Sequence, residues 1–390
     1  MLRVLGISSA LALPNSLYGS LFRGLQRMEI PNIISVMTTG LQQFGTVLIL
    51  AFGGNVFHVT YWFAGCYVLN LLIYIGASGR FFSARALIPG FSTELLRRNL
   101  GFASRMMSIS VMATVHRHTD KLIISKLLPI GTVGYYGVGY INVSKGQLVT
   151  GAVSQAAYPS FSALFKTGDQ AGLMSQYRKL QDLLCFGIVP IFAAIAFAVL
   201  PLFSYLINEE AARMLLLPVV FLCVGFYMNG TLNVPYVVSL AVGKPGITAR
   251  LNFYALFAVL PVTAILTYFL GLIGGGLSWV FYHIFGYFYS VPRICRECLG
   301  TRAWEWYRHV FRIFILIALT YGIAWVVLSV IYEYSILQLF TAYAAASICY
   351  ATGAYLLIGN ELRGVLTRRL RPLFNVIRGY HVRKESPREP

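Results

Sequence analysis

Charged residues are scarce in this sequence, and their scarcity excludes an ordinary soluble fold. Only 11% of the 390 residues are Asp, Glu, Lys or Arg, and 57% are hydrophobic. A soluble domain has about 25% charged residues. The apolar residues form runs of about 20, the length of a membrane-spanning helix. The apolar–polar alternation of a membrane β-barrel is absent, so we predict an all-α polytopic membrane protein.

Acidic residues are the rarest charged class, which leaves a large positive excess. The chain has 13 Asp and Glu against 31 Lys and Arg, a formal charge of +18. This excess could indicate a nucleic-acid partner, but the basic loops alternate strictly with nearly uncharged ones. That alternation is the positive-inside pattern of membrane proteins, so we expect no nucleic acid. The pattern places the basic loops and the C-terminus in the cytoplasm and Met1 on the far side.

The apolar runs predict about eleven spanning segments. They are 3–22, 30–52, 60–79, 104–128, 133–160, 180–207, 212–242, 247–270, 272–292, 309–331 and 336–358. The longest interior loop, 80–103, alternates aromatic residues with arginines, as an amphipathic helix on the cytoplasmic surface does.

This loop divides the chain into the predicted parts. Residues 1–79 form three helices and 80–103 the cytoplasmic linker. Residues 104–292 form six helices, 309–358 two more, and 359–390 a basic cytoplasmic tail.

The sequence also lacks the motifs of common cofactor and metal sites. Cys295 and Cys298 form one CxxC in 293-RICREC-298, but a structural zinc site needs four ligands and no second pair lies nearby. We therefore expect the cysteines to be small buried hydrophobic residues and the chain to hold no metal. There is no nucleotide-binding glycine loop and no pair of carboxylates. We expect a transporter without a cofactor, not an enzyme.

The segment 105–128 combines the length of a spanning helix with a cluster of ionisable residues. A charge at the bilayer centre costs about 2.5–3.5 kcal/mol on insertion scales, so these groups should avoid lipid. At about 100° per residue, the small, polar and charged residues of the segment fall within one arc of roughly 120°. The residues of this arc are Ser110, Ala113, Thr114, Arg117, Asp120 and Lys121.

Two interpretations of this charged arc stay open. Asp120 can reach Arg117 three residues earlier, which would make a structural ion pair, or the charges can lie at the watery end of the helix. Alternatively, Arg117 and Lys121 line a cationic cavity together with Lys145 of the next helix. Such a cavity suits an anionic substrate because Arg and Lys both bind phosphate. Asp120 and His116 would then pair with these charges or couple transport to a proton or a sodium ion.

Two loops of the chain form a short internal repeat. The stretch 14-PNSLYGSLFRGLQRMEIPN-32 and the stretch 235-PYVVSLAVGKPGITARLN-252 share a mid-helix proline, a half turn of small residues, two cations and an Asn opening the next helix. Transporters are often built from repeated sets of helices. We therefore expect cytoplasmic gate loops at the four cations, which are Arg23, Arg27, Lys244 and Arg250.

The chain also resembles a known family. The stretch 18-YGSLFRGLQRMEIPNIISV-36 resembles the fourth-helix signature of bacterial polysaccharide flippases for O-antigen or exopolysaccharide. The stretch 119-TDKLIISKLLPIGTVGYYGVGY-140 resembles the segment that opens their second lobe. These flippases belong to the multidrug/oligosaccharidyl-lipid/polysaccharide exporter superfamily, whose members have twelve or fourteen helices in two six-helix lobes. The resemblance implies that the first three helices of the family are absent from this chain.

The resemblance implies a function in the bacterial inner membrane. Its members move undecaprenyl-diphosphate-linked oligosaccharides across that membrane. The expected partners are this lipid-linked oligosaccharide, membrane lipid, a coupling proton or sodium ion, and a glycan polymerase. Three other interpretations stay open: a cation or drug antiporter of the same superfamily, an enzyme acting on lipid-linked sugars, and a truncated, nonfunctional remnant. The enzyme is disfavoured because such proteins usually carry a large extracytoplasmic loop, and every far-side loop here is short.

Overall fold

The computed structural model describes residues 2–25, 27–83, 87, 90, 92–330, 334–365 and 367, and within these it contains helices and no strand. The first seven helices are α1 (Leu2–Gly24), α2 (Glu29–Ala51), α3 (Val56–Ser78), α4 (Thr93–Leu127), α5 (Ile130–Ser144), α6 (Gln147–Lys166) and α7 (Gln170–Gly187). The next seven are α8 (Val189–Leu206), α9 (Glu209–Ala241), α10 (Gly246–Leu270), α11 (Leu272–Ile294), α12 (Ala303–Ile317), α13 (Ile323–Val330) and α14 (Ile336–Leu357). Short π-helical turns, Cys295–Leu299 and Ala318–Gly322, follow α11 and join α12 to α13.

The helices form two compact units, Met1–Arg98 and Asn99–Pro390. The division falls inside α4, which runs from the predicted linker into the predicted span 104–128 without a break. The predicted extent of the parts is not tested by this division and stays a prediction. Most of the predicted basic tail, 359–390, lies outside the described residues.

The first unit is held by α3, which packs against both α1 and α2. Its small core joins Phe22 of α1, Ile34 of α2 and Tyr74 of α3, all buried. The Asn15 amide donates to the Tyr67 carbonyl at 3.2 Å. Trp62 donates its indole N–H to the Gln42 carbonyl at 3.3 Å. These contacts satisfy polar groups within a bundle whose outer surface is apolar.

The second unit is organised around α9, which packs against α5, α6, α7, α8 and α11. This helix begins where the Asn208 side chain accepts from the Ala211 N–H at 2.8 Å, and it ends before Gly243, whose φ of 76° favours glycine. Polar side chains join it to α6: Gln147 donates to Asn229 at 2.8 Å, and Ser154 donates to Asn233. Hydrogen bonds between helices are one of the forces that associate membrane helices.

Two glycines let α9 and α11 approach each other closely. A Cβ at Gly225 would lie 2.9 Å from the Cβ of Trp279, and a Cβ at Gly276 would lie 2.6 Å from the Pro218 carbonyl oxygen. Small residues at such crossings are the usual device for close packing of membrane helices. The approach matters for function because α11 carries Trp279, which reaches the charged helix α4.

Seven helical segments of the described residues are long and apolar enough to cross a membrane. They are Glu29–Ala51, Val56–Ser78, Gln170–Leu206, Glu209–Ala241, Gly246–Leu270, Ala303–Val330 and Ile336–Leu357. The protein is therefore an all-α polytopic membrane protein. The predicted number of eleven spans stays a prediction. The predicted span 133–160 is not one continuous helix, because the chain breaks between α5 and α6 at Lys145 and Gly146.

Replacing Gly276 with Ala should destabilise the second unit. The added methyl group has a backbone carbonyl 2.6 Å away, and backbone cannot yield as a flexible side chain does. We expect a loss of about 1–3 kcal/mol in the free energy of unfolding, measured by denaturation in detergent. Gly137→Ala is the control, because nothing lies within 4 Å of its added Cβ. Equal stability of the two variants would contradict the close approach of α9 and α11.

Candidate functional site around Asp120

Asp120 of α4 is the centre of a polar cluster inside the second unit. It is 2% exposed. Its Oδ2 accepts from the Tyr136 hydroxyl of α5 at 2.9 Å and from the Trp279 indole N–H of α11 at 3.0 Å. Its Oδ1 accepts from the Lys121 ammonium at 3.2 Å. One buried carboxylate thus links three helices and receives the donors that a buried charge requires.

Lys121 is shared between this carboxylate and an aromatic ring. Its Nζ lies 3.2 Å from the ring centroid of Tyr140 and 5.9 Å from that of Tyr136, and the side chain is 22% exposed. The ring face stabilises the ammonium through a cation–π interaction. Lys121 is therefore neutralised on one side by Asp120 and covered on another by Tyr140.

Aromatic rings from three helices surround the ion pair. Phe226 of α9 stacks on Trp279 with centroids 4.7 Å apart and planes at 17°. Tyr140 lies 5.4 Å from both of these rings. Each of the three rings is buried. Because a dry, packed surrounding lowers the local dielectric, it strengthens the attraction between Asp120 and Lys121.

A small cavity adjoins Asp120 on the side of α10. Its volume is about 20 Å³, and it is lined by Thr119, Asp120, Val259, Thr263, Ser278, Trp279 and Tyr282. The hydroxyls of Thr119, Thr263 and Ser278 donate to backbone carbonyls of their own helices. Their oxygens thus keep lone pairs for a further donor. A space of this size holds one water molecule or one small ion.

The polar arc expected on α4 divides between two environments. Ser110 and Thr114 are exposed, whereas Asp120 is buried and Lys121 half-buried. Ile109 and Ile124 are buried on the same side of the helix as Asp120. The Asp120–Lys121 ion pair therefore lies where the polar face of α4 borders the buried face of the helix. The side chains of His116 and Arg117 lie outside the described part of the structure.

Lys145 lies at the break between α5 and α6 and is exposed. Among the described residues its ammonium has no ion-pair partner. The structure thus brings Asp120 and Lys121 together and places Lys145 on the surface. Its expected role in binding an anionic substrate stays a prediction.

The four predicted gate cations have different surroundings. Arg27 pairs with Glu29 at 3.4 Å in the first unit. In the second unit, Lys244 donates to the Glu297 carbonyl at 2.8 Å, and Arg250 donates to the Gly246 carbonyl of its own helix at 3.1 Å. The Arg23 side chain is not among those described. Their role as gates stays a prediction.

The CxxC cysteines, Cys295 and Cys298, are buried in the π-helical turn after α11. Burial raises the pKa of the Cys298 thiol to about 11 and also raises the pKa of Cys295. Thiols with raised pKa values stay protonated and are poor metal ligands. Within the described residues, no group of three His, Cys, Asp or Glu side chains could hold a metal ion.

Sequence reasoning missed the aromatic partners of Asp120. Tyr136 and Tyr140 are four residues apart, a spacing that puts both on one face of a helix, so a local signal for them was present. Trp279 lies 159 residues from Asp120 along the chain, and no local pattern connects the two. The pairing of Asp120 with Arg117, one of the two interpretations of the charged arc, stays a prediction because the Arg117 side chain lies outside the described residues; the described partner of Asp120 is Lys121.

The helical fold, with seven segments long and apolar enough to cross a membrane, defines a multi-pass helical membrane protein. Residues 2–210, more than half of the chain, match a family described as polysaccharide biosynthesis protein. The chain therefore belongs to this family, which confirms the resemblance to the polysaccharide flippases. No curated protein and no solved structure matches the chain.

Removing the Asp120 carboxylate should destabilise the protein strongly. Asp120→Ala leaves Lys121 without its counter-charge and Tyr136 and Trp279 without an acceptor. We expect a loss of about 3 kcal/mol in the free energy of unfolding in detergent. The double variant Asp120→Ala/Lys121→Met removes both charges and should recover part of this loss.

Asp169→Ala is the matched control for this prediction. Asp169 is exposed and accepts from the Gly172 N–H at 2.8 Å at the start of α7, so its loss should cost about 1 kcal/mol. If the double variant were no more stable than Asp120→Ala, the ion pair would not be the source of the stability.

Proposed function

We propose that this chain moves undecaprenyl-diphosphate-linked oligosaccharide across a bacterial inner membrane, by alternating access of two helical lobes. Membership of the polysaccharide biosynthesis family supports the pathway, and the multi-pass helical fold supports a transport role. Transport of a lipid-linked sugar needs no chemical step on the protein, so we propose that the chain is not an enzyme. Its proposed partners are the lipid-linked oligosaccharide, membrane lipid and a glycan polymerase.

The observation that carries this proposal is the local balance of charge. Asp120 is engaged by Lys121 and by two neutral donors. Its charge is therefore already balanced by Lys121. Lys145 is exposed at a helix break, where an ammonium can meet a diphosphate as a point charge. An excess of cations suits an anionic substrate and disfavours a cationic one.

The Asp120 pair itself suits a coupling role better than direct contact with the substrate. The carboxylate is buried and already accepts three side-chain donors. A proton or a sodium ion arriving in the adjoining cavity would compete with Lys121 for Asp120 and release the ammonium. Because Asp120 joins α4, α5 and α11, such a competition would change the contacts between these helices. His116, four residues before Asp120 in the sequence of α4, would assist in the transfer of a proton.

The positive-inside pattern supports the proposed orientation. The basic loops and the C-terminus would lie in the cytoplasm, where the lipid-linked oligosaccharide is assembled for export. The substrate would enter from this side, and the gate cations Lys244 and Arg250 of the second unit would attract its diphosphate.

Lys145→Gln tests the binding of substrate. In a strain that lacks the gene, the variant should restore polysaccharide export about tenfold less well than the original chain, because one charged hydrogen bond to the diphosphate is lost. The measurement is the amount of surface polysaccharide at matched protein level. Lys166→Gln, exposed at the end of α6, is the control and should export normally.

Equal export by the two variants would remove Lys145 from the binding site. If neither the original chain nor a variant restored export, and deletion instead sensitised cells to cationic dyes, the cation antiporter would be the better assignment. The buried carboxylate Asp120 is the observation that favours this second function.

A further inference from the structure

The second unit contains a cavity of about 420 Å³ that shares no residue with the Asp120 cluster. It lies among α7, the start of α12 and the segment that follows α14. Charged side chains of both signs line it, together with buried polar ones. The lining residues used below are Arg178, Gln181, Asp182, Arg302, Glu305 and Trp306.

Polar contacts to the buried Asp182 carboxylate, and one further hydrogen bond, tie the walls of this cavity together. Oδ2 of Asp182 in α7 accepts from the Gly359 N–H after α14 at 2.7 Å. Its Oδ1 lies 3.4 Å from the His309 Nε2 of α12. Ser175 of α7 donates to Glu361 at 2.9 Å. Three separate segments are thus joined around one space, so the cavity is a built feature of the fold and not a surface irregularity.

The cavity lies where two membrane helices change from polar to apolar. No Asp, Glu, Lys or Arg occurs in 183–208, which follows Asp182, or in 313–332, which follows Arg312. Both stretches are long enough to cross the hydrocarbon core, which takes roughly 20 residues. The cavity is therefore at the depth of the lipid headgroups, on the side of the membrane to which the basic loops belong.

The charges that line the cavity indicate the chemistry of its ligand. Arg178 and Arg302 are exposed, and neither forms an ion pair within the described part of the chain. Asp182, Glu305 and Glu361 add carboxylates to the same space. A simple anion would be attracted by the arginines but repelled by three carboxylates. A ligand with one phosphate and one ammonium can pair with both the arginines and the carboxylates.

The aromatic residues argue against a sugar in this cavity. Sugars usually stack on an open aromatic face, but the Trp306 ring is 5% exposed and packs edge-on against Tyr287 at 4.8 Å and Tyr307 at 5.6 Å. The floor of the cavity does contain two buried polar atoms without a hydrogen-bond partner among the described residues, Gln181 Oε1 and Trp306 Nε1. Such atoms can accept a hydrogen bond from, or donate one to, water or a bound group.

We propose that this cavity binds a zwitterionic headgroup that carries a phosphate and a primary ammonium, as an aminophospholipid of the surrounding membrane does. The arginines at its mouth hold the phosphate, and Asp182 with Glu305 faces the ammonium. The bound lipid would brace α12 and α14 against α7. This inference does not depend on the transport reaction, because it concerns residues outside the Asp120 cluster.

The test compares lipid retention by the full chain in two kinds of nanodisc. One contains phosphatidylglycerol alone and the other equal parts of phosphatidylglycerol and phosphatidylethanolamine. Native mass spectrometry then counts each lipid that stays bound after transfer to mild detergent. The original chain should retain phosphatidylethanolamine in preference to phosphatidylglycerol. The double variant Arg178→Gln/Arg302→Gln should retain about fivefold less of it.

The control variant Lys179→Gln/Arg296→Gln removes the same charge from neighbouring positions that do not line the cavity, and should retain the lipid normally. Soluble phosphoethanolamine, added as competitor, separates the two sources of the headgroup. Displacement of the lipid would show that the free zwitterion also binds, and no displacement would restrict the site to membrane lipid. Equal retention of the two lipids by the original chain, or equal loss in the two double variants, would overturn the proposal. The comparison of the two lipids bound by the original chain tests the proposed headgroup preference even if a variant fails to fold.

Discussion

A carboxylate buried among membrane helices needs donors or a counter-charge, since an isolated ion is costly in a medium of low dielectric. Asp120 meets this requirement through residues of three helices, with Lys121 beside it on α4, Tyr136 on α5 and Trp279 on α11. The requirement therefore fixes how these helices pack.

Packing between α9, α11 and α6 holds Trp279 in the position from which it contacts Asp120. Trp279 can reach Asp120 because Gly225 and Gly276 let α11 approach α9 closely. Phe226 of α9 then stacks on the Trp279 ring and fixes its orientation. Side-chain amides and hydroxyls bond α9 to α6, so the same central helix is held on several sides. A change in the protonation or ion occupancy of Asp120 would thus alter the packing of helices that do not contact it, such as α9 and α6.

The sequence predicts the helical membrane class and most helix positions well, because long apolar runs and the placement of cations depend on local composition. It predicts less well where a helix breaks. The interruption at Lys145 and Gly146 has no proline at that point, and it coincides with Phe192 of α8, which would lie 2.7 Å from a Cβ at Gly146. This contact between distant residues is a tertiary constraint, and the hydrophobic periodicity of the sequence does not predict it.

The site was predictable in part for the same reason. The unusual charges in 105–128 singled out Asp120 and Lys121, since charged residues in an apolar run are visible locally. The hydrogen-bond and ion-pair partners of a buried group, in contrast, depend on tertiary packing. Trp279 is remote in sequence, and the choice of Lys121 as a partner of Asp120 depends on the side-chain geometry at the edge of the helix. The cavity around Asp182 depends likewise on three segments that are far apart in the chain.

The proposed transport of an isoprenyl-diphosphate-linked oligosaccharide can be measured with the purified chain. The protein is reconstituted into vesicles that carry the labelled lipid-linked sugar in the inner leaflet, and a glycosidase that cannot enter the vesicles reports arrival in the outer leaflet. We expect the sugar to become accessible only in vesicles that contain the chain, and a lipid-linked sugar without the diphosphate to be moved more slowly. Accessibility no greater than in protein-free vesicles would contradict the proposed transport.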